Sequence, residues 1–399
     1  MKKSIIYVGL LVFISGCWDR YEIEERANIL GIAIDIAEEE DMKDEPNVSH
    51  RQGEFPEGYE QNSVKITAQI SLPGKIKLGP EGGGGEGSQK TSWTLETVGH
   101  TVKDAMANLQ QQLAEKLYLG HVQIIVISEE IAKRGVEEIN DYFRRSPEVR
   151  RTAWMIVNGG DAKKVLEAAP PVENVSSLYL SNTLDNAVRF GKLPREYLGK
   201  YWINLSSEGI DPVLPAVQVI NNDRLLIEGV AYFKEDKMIG KISPIESGVF
   251  MGMRGKTPGG YSIPMTLPNE NGVFMVKATT QKPKINLRME NGKPDAEIKV
   301  TVDATVEEEV DSNQLKAPMI EKLEKETMKK ANQIASELIE KLQSDGSDIF
   351  GIGARIRAKY ASYWDREVKS DERWAEIYKE MDIRVDYDIN ITDTGMEWK

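Results

Sequence analysis

The first 200 residues combine continuous hydrophobic runs with alternating and helical patterns. Residues 29–36 are a run of largely β-branched side chains, which predicts a strand buried on both faces. Residues 64–70 alternate hydrophobic and polar side chains, which predicts a half-buried strand able to pair with it. Strands are also predicted at 121–127 and 152–157, with helices between and after them. This alternation predicts a partly parallel α/β sheet.

Helical spacing of the hydrophobic residues predicts three long elements in the same region. Residues 98–117 fit one amphipathic helix of about five turns that ends near Gly120. A second helix begins at its N-cap Ser128 and stops before Pro147, and a third is expected over 175–190. The proline- and asparagine-containing segment 204–224 predicts an exposed connector.

The clearest alternating pattern lies near the C-terminus. Residues 285–289 and 296–306 hold a period of two on either side of Asn291-Gly292, which predicts a β-hairpin. A helix of roughly eight turns follows over 313–343, and the alternating segment 383–391 closes the chain as a strand. Strands, then helices, then a strand predict a long helix laid across an antiparallel sheet.

These elements predict an α+β protein of three consecutive mixed α/β domains, each a β-sheet packed with helices. The N-terminal α/β domain is expected over 17–200, and the C-terminal α+β domain over 281–399. The middle domain, 201–280, is expected to contain β-hairpins: residues 225–233 and 238–243 form one of them. Removing residues 1–16 leaves 383 residues, enough for two or three domains.

Residues 1–16 have the order of a bacterial lipoprotein signal peptide. Lys2 and Lys3 precede about ten apolar residues, and two small residues, Ser15 and Gly16, stand directly before Cys17. The pattern predicts cleavage before Cys17 and its conversion to N-palmitoyl, S-diacylglycerol cysteine. Because two or more acyl chains give stable anchoring, Cys17 would hold the mature chain on the outer face of a membrane.

Three other interpretations of this segment were weighed. A membrane-spanning helix needs roughly 20 apolar residues, about twice the run present here. A buried core helix is disfavoured by the all-round apolarity and the position at the N-terminus. A free structural cysteine is the third alternative.

The net charge restricts the binding partners that the chain can have, and the cysteine content restricts its disulfide bonds. The net charge is −13, and loss of Lys2 and Lys3 with the signal takes it to −15. Such a chain is repelled by nucleic acid and by anionic lipid, so membrane attachment is expected from the lipid alone. Cys17 is the single cysteine, which excludes an internal disulfide.

The sequence predicts no catalytic, cofactor or metal site. His50, His100 and His121 fall in a loop, at a helix start and at a strand start, and the sequence places no two of them together. The glycine-rich segment 79–88 lacks the Gly-Lys-Ser/Thr of a phosphate-binding loop and predicts a flexible loop.

Aromatic residues cluster near the C-terminus. Trp364, Trp374 and Tyr378 lie in this cluster, with two further tyrosines. They could anchor a partner protein, but packing under the long helix is the favoured interpretation.

Six blocks of the sequence together carry a family resemblance. They are 16–20 with Glu22, 31–35, 120–122, 128–132 with Gly135, 144–150, and 348–353 with Trp364 and Trp374. In this order they resemble the C subunits of bacterial spore germinant receptors, the Ger(x)C family. The resemblance covers nearly the whole chain, and it departs from the family's usual Arg-Asp pair at Arg145-Ser146.

The resemblance implies a non-catalytic lipoprotein on the outer face of the spore inner membrane. It would work with a membrane A subunit and a transporter-like B subunit to trigger germination in response to small nutrients. The resemblance also implies three α/β domains, and direct nutrient binding by this subunit is not expected. The alternative function is a solute-binding lipoprotein of a transporter, with two lobes around a ligand cleft. An extracytoplasmic enzyme is disfavoured because catalytic motifs are absent from the sequence.

Overall fold

The computed structural model has two β-sheets, each packed with helices. It describes residues 25–46, 48–51, 53–56, 62–72, 91–168, 173, 175–221, 224–255, 257–268, 270–310 and 317–393. This mixed α/β architecture agrees with the fold class expected from the sequence.

Nine strands of the described chain form the first sheet. Eight of them run in the order β3-β2-β1-β5-β6-β7-β8-β9, and β4 pairs with the start of β1. The strands are β1 (Arg26–Ile36), β2 (Val64–Ser71), β3 (Ser92–Gly99), β4 (Lys116–Tyr118), β5 (Ile124–Ser128), β6 (Trp154–Asn158), β7 (Val213–Ile220), β8 (Arg224–Lys234) and β9 (Lys237–Ile242).

The centre of this sheet is parallel and its two sides are antiparallel. β1, β5, β6 and β7 pair in parallel, with helical connections between successive strands after β5. β2 and β3 extend one side as antiparallel neighbours of β1, and β8 and β9 extend the other. The predicted pairing of the first two strands and the partly parallel sheet are both confirmed.

Seven helices of the described chain accompany the first sheet. They are α1 (Glu39–Met42), α2 (Val102–Gln110), α3 (Glu129–Arg134), α4 (Glu137–Arg145), α5 (Lys163–Glu167), α6 (Ser176–Arg189) and α7 (Leu198–Leu205).

The single helix predicted over 98–117 is wrong at both ends. Val98 belongs to β3, where it pairs with Lys65 of β2. The helix begins only after Thr101, whose hydroxyl accepts the backbone N–H of Asp104. At the other end, the Gln110 side chain bonds the backbone at Glu115 and Leu117 and closes a turn.

The helix predicted from Ser128 to Pro147 is instead two helices. Ser128 caps α3 as expected, by accepting the backbone N–H of Ile131. Gly135 then takes φ of 125°, a backbone conformation that ends α3. The chain restarts as α4 at Glu137.

The prediction of an exposed connector over 204–224 is wrong. Residues 213–220 form β7, whose first five residues are buried and which pairs with β6 and β8. We interpreted the prolines as evidence against a strand, because proline has no backbone N–H to donate to a neighbouring strand. Pro215 is accommodated because β6 pairs only with Ala216 and Val217 further along the strand.

Four strands of the described chain form the second sheet, in the order β10-β11-β12-β13. The strands are β10 (Ser262–Met265), β11 (Val273–Glu290), β12 (Lys293–Val310) and β13 (Asp382–Asp393). The predicted hairpin turn is confirmed, since Asn291 and Gly292 have φ of 51° and 79°. β11 is one continuous strand that contains the predicted strand at 285–289.

The antiparallel sheet expected here is confirmed for β10, β11 and β12 but wrong for the closing strand, which runs parallel to β12. Helices carry the chain from the end of β12 back to the start of β13, which makes the two strands run in the same direction. We call residues 25–242, which contain the first sheet, the first half of the molecule, and residues 244–393, which contain the second sheet, the second half. The helices of the second half are α8 (Pro244–Arg254), α9 (Ala317–Asp345), α10 (Ile352–Lys359), α11 (Ala361–Tyr363), a π-helical turn (Trp364–Val368) and α12 (Asp371–Glu380).

Two hydrophobic cores lie on opposite faces of the first sheet. Ile125 and Ile127 of β5 point into one core, which stays within the first half of the molecule. Ile124 and Val126 point into the other, which continues to the second sheet and the underside of α9. The two sheets are therefore joined through a shared core.

The strands of residues 201–280 form no sheet of their own among the described residues. β7, β8 and β9 extend the first sheet, whereas β10 and the start of β11 belong to the second. The expectation of one sheet for each of three domains is therefore wrong, and the domain boundaries at 201 and 281 stay predictions. In the described part of the chain, no helix combines the length and apolar character needed to cross a membrane.

Candidate functional site

The one site residue predicted from the sequence, Cys17, lies outside the described residues. The described chain begins at Glu25 and enters β1 at Arg26. Lipid attachment at Cys17 therefore stays a prediction.

Strand pairing brings together two parts of the chain that carry chemically active side chains. Val64, at the start of β2, pairs with Ile36 on one side and with Gly99 on the other. The segment that precedes β2 therefore lies at the same edge of the sheet as the turn that follows β3. Two histidines and two carboxylates meet there.

We call Glu45, His50, His100 and Asp104 the histidine–carboxylate cluster. One nitrogen or oxygen of each side chain lies within 4.8 Å of those of the other three. His100 Nδ1 lies 3.1 Å from Glu45 Oε1 and 3.8 Å from Asp104 Oδ2. His50 lies 3.6 Å from both carboxylates, through Nε2 to Glu45 and through Nδ1 to Asp104.

Neighbouring groups hold the cluster in shape. Phe55 stacks on His100 with ring centroids 4.1 Å apart and meets His50 edge-on at 4.5 Å. The Ser49 hydroxyl donates to Asp104 Oδ1 and lies 3.1 Å from His50 Nδ1. Asp104 also accepts the backbone N–H of His100 at 2.9 Å, which fixes it at the start of α2.

The pKa values of the two carboxyl groups of the cluster are shifted in opposite directions. Burial raises the pKa of Glu45, and the neighbouring Asp104 raises it further, against the lowering effect of His100. Burial also acts to raise the pKa of Asp104, but hydrogen bonds from Ser49 and the His100 backbone hold it below its usual value. Two negative groups thus share one partly buried place.

The cluster corrects the expectation that no two histidines come together. The rings of His50 and His100 are 5.0 Å apart, although 50 residues separate them in the chain. His121 is outside the cluster and lies edge-on against Tyr118. Burial lowers the pKa of His121, as do the nearby Arg150 and Arg26.

A second group of buried polar residues ties the two halves together. We call Asp211, Asp348 and Trp374 the joint. Asp348 is fully buried and accepts three N–H groups, from the backbone of Ile352 and Gly353 and from the Trp374 indole. A Cβ at Gly353 would overlap the Trp374 indole nitrogen, so this position requires glycine.

Asp211 completes the joint from the side of the first sheet. It accepts the backbone N–H of Asp348 at 2.8 Å and that of Glu235 at 3.2 Å, and Lys234 lies 3.5 Å away. Burial raises the pKa of Asp348 to about 6, and the nearby Asp211 raises it as well, while the three N–H donors oppose the change. We interpret the joint as a structural connection.

The C-terminal aromatic cluster is mostly packed inside the molecule, as the favoured interpretation predicted. Trp364 and Trp374 are each 2% exposed, with ring centroids 5.5 Å apart, and Tyr378 is fully buried. The Trp364 indole donates to Glu208 of the first half. The aromatics therefore stabilise the contact between the halves.

A groove of about 780 Å³ lies within the first half rather than between the halves. Residues of β2, α2 and α4 line it, among them the charged side chains of Lys103, Arg134 and Arg145. The two-lobed cleft expected of a solute-binding lipoprotein would lie between the halves. Glu196 and Arg254 are among the residues of both halves that line another groove, of about 650 Å³, although the halves also share a core.

Two family models match the chain one after the other. The spore germination protein N-terminal domain matches residues 19–219. The C-terminal domain described as spore germination B3/GerAC like matches residues 228–395.

Curated relatives align with this chain over nearly their whole length. The putative spore germination protein YfkR of Bacillus subtilis is 22% identical, over 100% of this chain and 97% of its own. Spore germination protein GerQC of Bacillus cereus is 24% identical, over 99% of both chains. A crystal structure of the GerBC protein has a similar fold, with a TM-score of 0.56 and 22% identity, over 83% of this chain and 94% of that one.

Proposed function

Because the chain belongs to the Ger(x)C family of spore germination proteins, we propose that it is a non-catalytic, lipid-anchored subunit of a nutrient germinant receptor. The observation that carries the proposal is the pair of family matches, which together span the chain from residue 19 to residue 395. In this role the subunit works with membrane A and B subunits on the outer face of the spore inner membrane.

The packing of the two halves supports a role as a scaffold for protein contacts. Residues 348–353, one of the blocks shared with the family, are buried in and beside the joint and fix the halves to each other. Such a joint fixes the orientation of the two halves relative to each other, and with it the positions of their surfaces. This suits a subunit that must contact two partners at once.

The proposed anchor follows from the N-terminal sequence and the charge. Cys17 follows a short apolar run and two small residues, and the chain after it has a net charge of −15 once Lys2 and Lys3 are removed. Anionic lipid repels such a chain, so attachment rests on the acyl groups.

Replacing the proposed lipid site tests the anchor. We expect Cys17→Ala to lower the membrane-bound fraction at least about tenfold, because the acyl chains supply most of the binding free energy at about 0.8 kcal/mol per CH₂. Immunoblots of soluble and membrane fractions from spores measure this, together with the nutrient-triggered germination rate. Ser4→Ala, in the same segment, is the matched control and should behave as the unaltered protein.

Retention of Cys17→Ala in the membrane at the unaltered level would contradict the anchor. Co-purification of the unaltered protein with two membrane subunits, from detergent-solubilised spore membranes, tests the receptor assignment separately. Calorimetric titration with amino acids and sugars distinguishes the solute-binding alternative. Nutrient binding at micromolar concentration by this chain alone would favour that alternative over the scaffold.

A further inference from the structure

We infer that the histidine–carboxylate cluster is a binding site for one divalent transition-metal ion, with zinc the best match. The inference rests on the positions and chemistry of four described side chains. It does not depend on the lipid anchor or on the receptor assignment.

The spacing of the four side chains fits a small metal ion. Tetrahedral zinc binds nitrogen and oxygen at about 2.0–2.2 Å, which sets neighbouring ligand atoms roughly 3.3–3.6 Å apart. In the cluster, His100 Nδ1 lies 3.1 Å from Glu45 Oε1 and 3.8 Å from Asp104 Oδ2, close to this spacing. His50 can offer only one of its two nitrogens to the ion, and with one ligand atom from each side chain the four atoms lie within 4.8 Å of one another. Side-chain shifts of about 1 Å would therefore place all four around one ion.

The donor set selects the class of ion. Two imidazoles with two carboxylates suit zinc and its neighbours in the first transition row, whereas magnesium and calcium prefer oxygen donors alone. Two neutral imidazoles and two carboxylates carry a charge of −2, which one divalent ion balances. A bound ion would thereby remove the repulsion between Glu45 and Asp104.

The surroundings of the cluster resemble those of a structural metal site. The Ser49 hydroxyl contacts both His50 and Asp104, and the His100 backbone N–H contacts Asp104, so outer hydrogen bonds orient the ligands. Phe55 covers both imidazole rings. Four protein ligands leave no open position for a substrate, which indicates a structural role.

The position of the cluster defines what the ion would do. Glu45 and His50 come from the connection between β1 and β2, whereas His100 and Asp104 come from the junction of β3 and α2. One ion bound to all four would join that connection to the start of α2. Zinc is therefore expected to order the backbone around His50.

Zinc titration of the full-length chain tests the inference. The protein is purified in detergent, any affinity tag is removed, and zinc sulfate is added during isothermal titration calorimetry. We expect one equivalent of zinc to bind at micromolar or lower Kd. Cobalt in place of zinc should give the visible absorption of a tetrahedral site. Hydrogen exchange at residues 48–51 should slow at least about tenfold on zinc addition.

Single substitutions identify the ligands. His50→Ala and Glu45→Gln should each raise the Kd for zinc by at least about 100-fold, at or beyond the 10–100-fold that loss of an outer-shell partner costs. His121→Ala removes a histidine outside the cluster and should leave the Kd unchanged. Circular dichroism in zinc-free buffer establishes that each variant is folded, and Glu45→Gln keeps the shape of the side chain if His50→Ala is not folded.

Two results would overturn the inference. One is the absence of zinc binding at concentrations up to 100 times the protein concentration. The other is a Kd that His50→Ala and Glu45→Gln leave unchanged, which would identify the cluster as a hydrogen-bonded network without a metal.

Discussion

The two sheets of this molecule differ in the number of faces that hydrophobic cores cover. In the first sheet, β5 and β6 are buried at every residue, because separate cores cover both faces. In the second sheet, β12 alternates between buried and exposed side chains over most of its length. The long helix α9 and its neighbours cover one face of the second sheet, and the other face is open to solvent.

This difference explains why some patterns in the sequence were easier to interpret than others. In a strand with one buried face, hydrophobic and polar residues alternate with a period of two, so the strand can be recognised in the sequence. A strand with two buried faces has no period and differs from a buried helix only in length and β-branching. The contrast also predicts where substitutions should be costly, and the joint between the halves is the first place to test it.

Removal of the Asp348 carboxylate should have the largest effect on the free energy of unfolding. Asp348→Ala leaves three buried N–H donors without an acceptor, at about 1–3 kcal/mol each. We expect the free energy of unfolding to fall by at least about 4 kcal/mol. Because the joint and a shared core connect the halves, both should lose hydrogen-exchange protection together. Urea unfolding with hydrogen exchange read by mass spectrometry measures both quantities.

Asp386→Ala is the matched control, since Asp386 is exposed on β13. Its effect should stay within about 0.5 kcal/mol. Loss of protection in the second half alone, with the first half unchanged, would show that the two sheets are energetically independent.

Consecutive substitutions compare the two sheets directly. Ile124→Ala and Ile125→Ala on β5 face opposite cores, and each side chain is fully buried, so each should cost about 3.5 kcal/mol. On β12, Ile298→Ala should cost a similar amount because Ile298 faces the shared core. Lys299→Ala should cost less than about 0.5 kcal/mol, because Lys299 is exposed. Urea unfolding of the four variants measures the set.

The outcome for Ile124 and Ile125 is the critical one. If either substitution proved as mild as Lys299→Ala, one face of the first sheet would be poorly packed, and the contrast between the sheets would fail.

Apart from the two exposed-site controls, the smallest effect expected on the free energy of unfolding is a pH dependence that comes from the joint. The folded protein raises the pKa of Asp348 from 3.8 to about 6, so it binds more protons than the unfolded chain between these values. This contribution to stability is present in full below about pH 4 and is lost as pH rises to about 6, with a total of roughly 3 kcal/mol.

Asp348→Asn isolates this contribution, because asparagine does not titrate. The stability of the unaltered protein relative to Asp348→Asn should fall between pH 4 and pH 7 in urea unfolding. A relative stability that is constant, or that rises with pH, would mean that the charged form of Asp348 is not disfavoured by burial.

Local patterns predicted most of the second half of the fold. The period of two in 296–306, the turn at Asn291-Gly292 and the helical spacing over 313–343 each depend on neighbours in sequence. The first two are confirmed, and the helix is confirmed from residue 317 onward, since residues 313–316 lie outside the described part of the chain. The direction of β13 depends on where the helices after β12 return the chain, which no local pattern encodes. The strand β7 was missed because Pro215 within it and Pro212 just before it outweighed its buried side chains in the interpretation.

The site was harder to predict than the fold. His50 and His100 meet only because β2 pairs with β3 in a register that sets Val64 opposite Gly99. One signal was available: the start of one predicted strand and the end of its neighbour lie at the same edge of a sheet. That argument requires β3 as a strand, whereas the sequence interpretation began a helix at Val98. The strand Ser92–Gly99 was not predicted at all, and its last two residues were assigned to the following helix, so the cluster stayed concealed.

The central position of β1 has a mechanical consequence for an anchored protein. β1 begins at Arg26, nine residues after Cys17, so a tether from a lipid at Cys17 reaches at most about 30 Å. β1 is hydrogen-bonded to β2 on one side and to β5 on the other. A pull from the membrane would therefore load two ladders in shear at the middle of the sheet, instead of peeling a strand from its edge. The chain would meet such a force at one of its most strongly held strands.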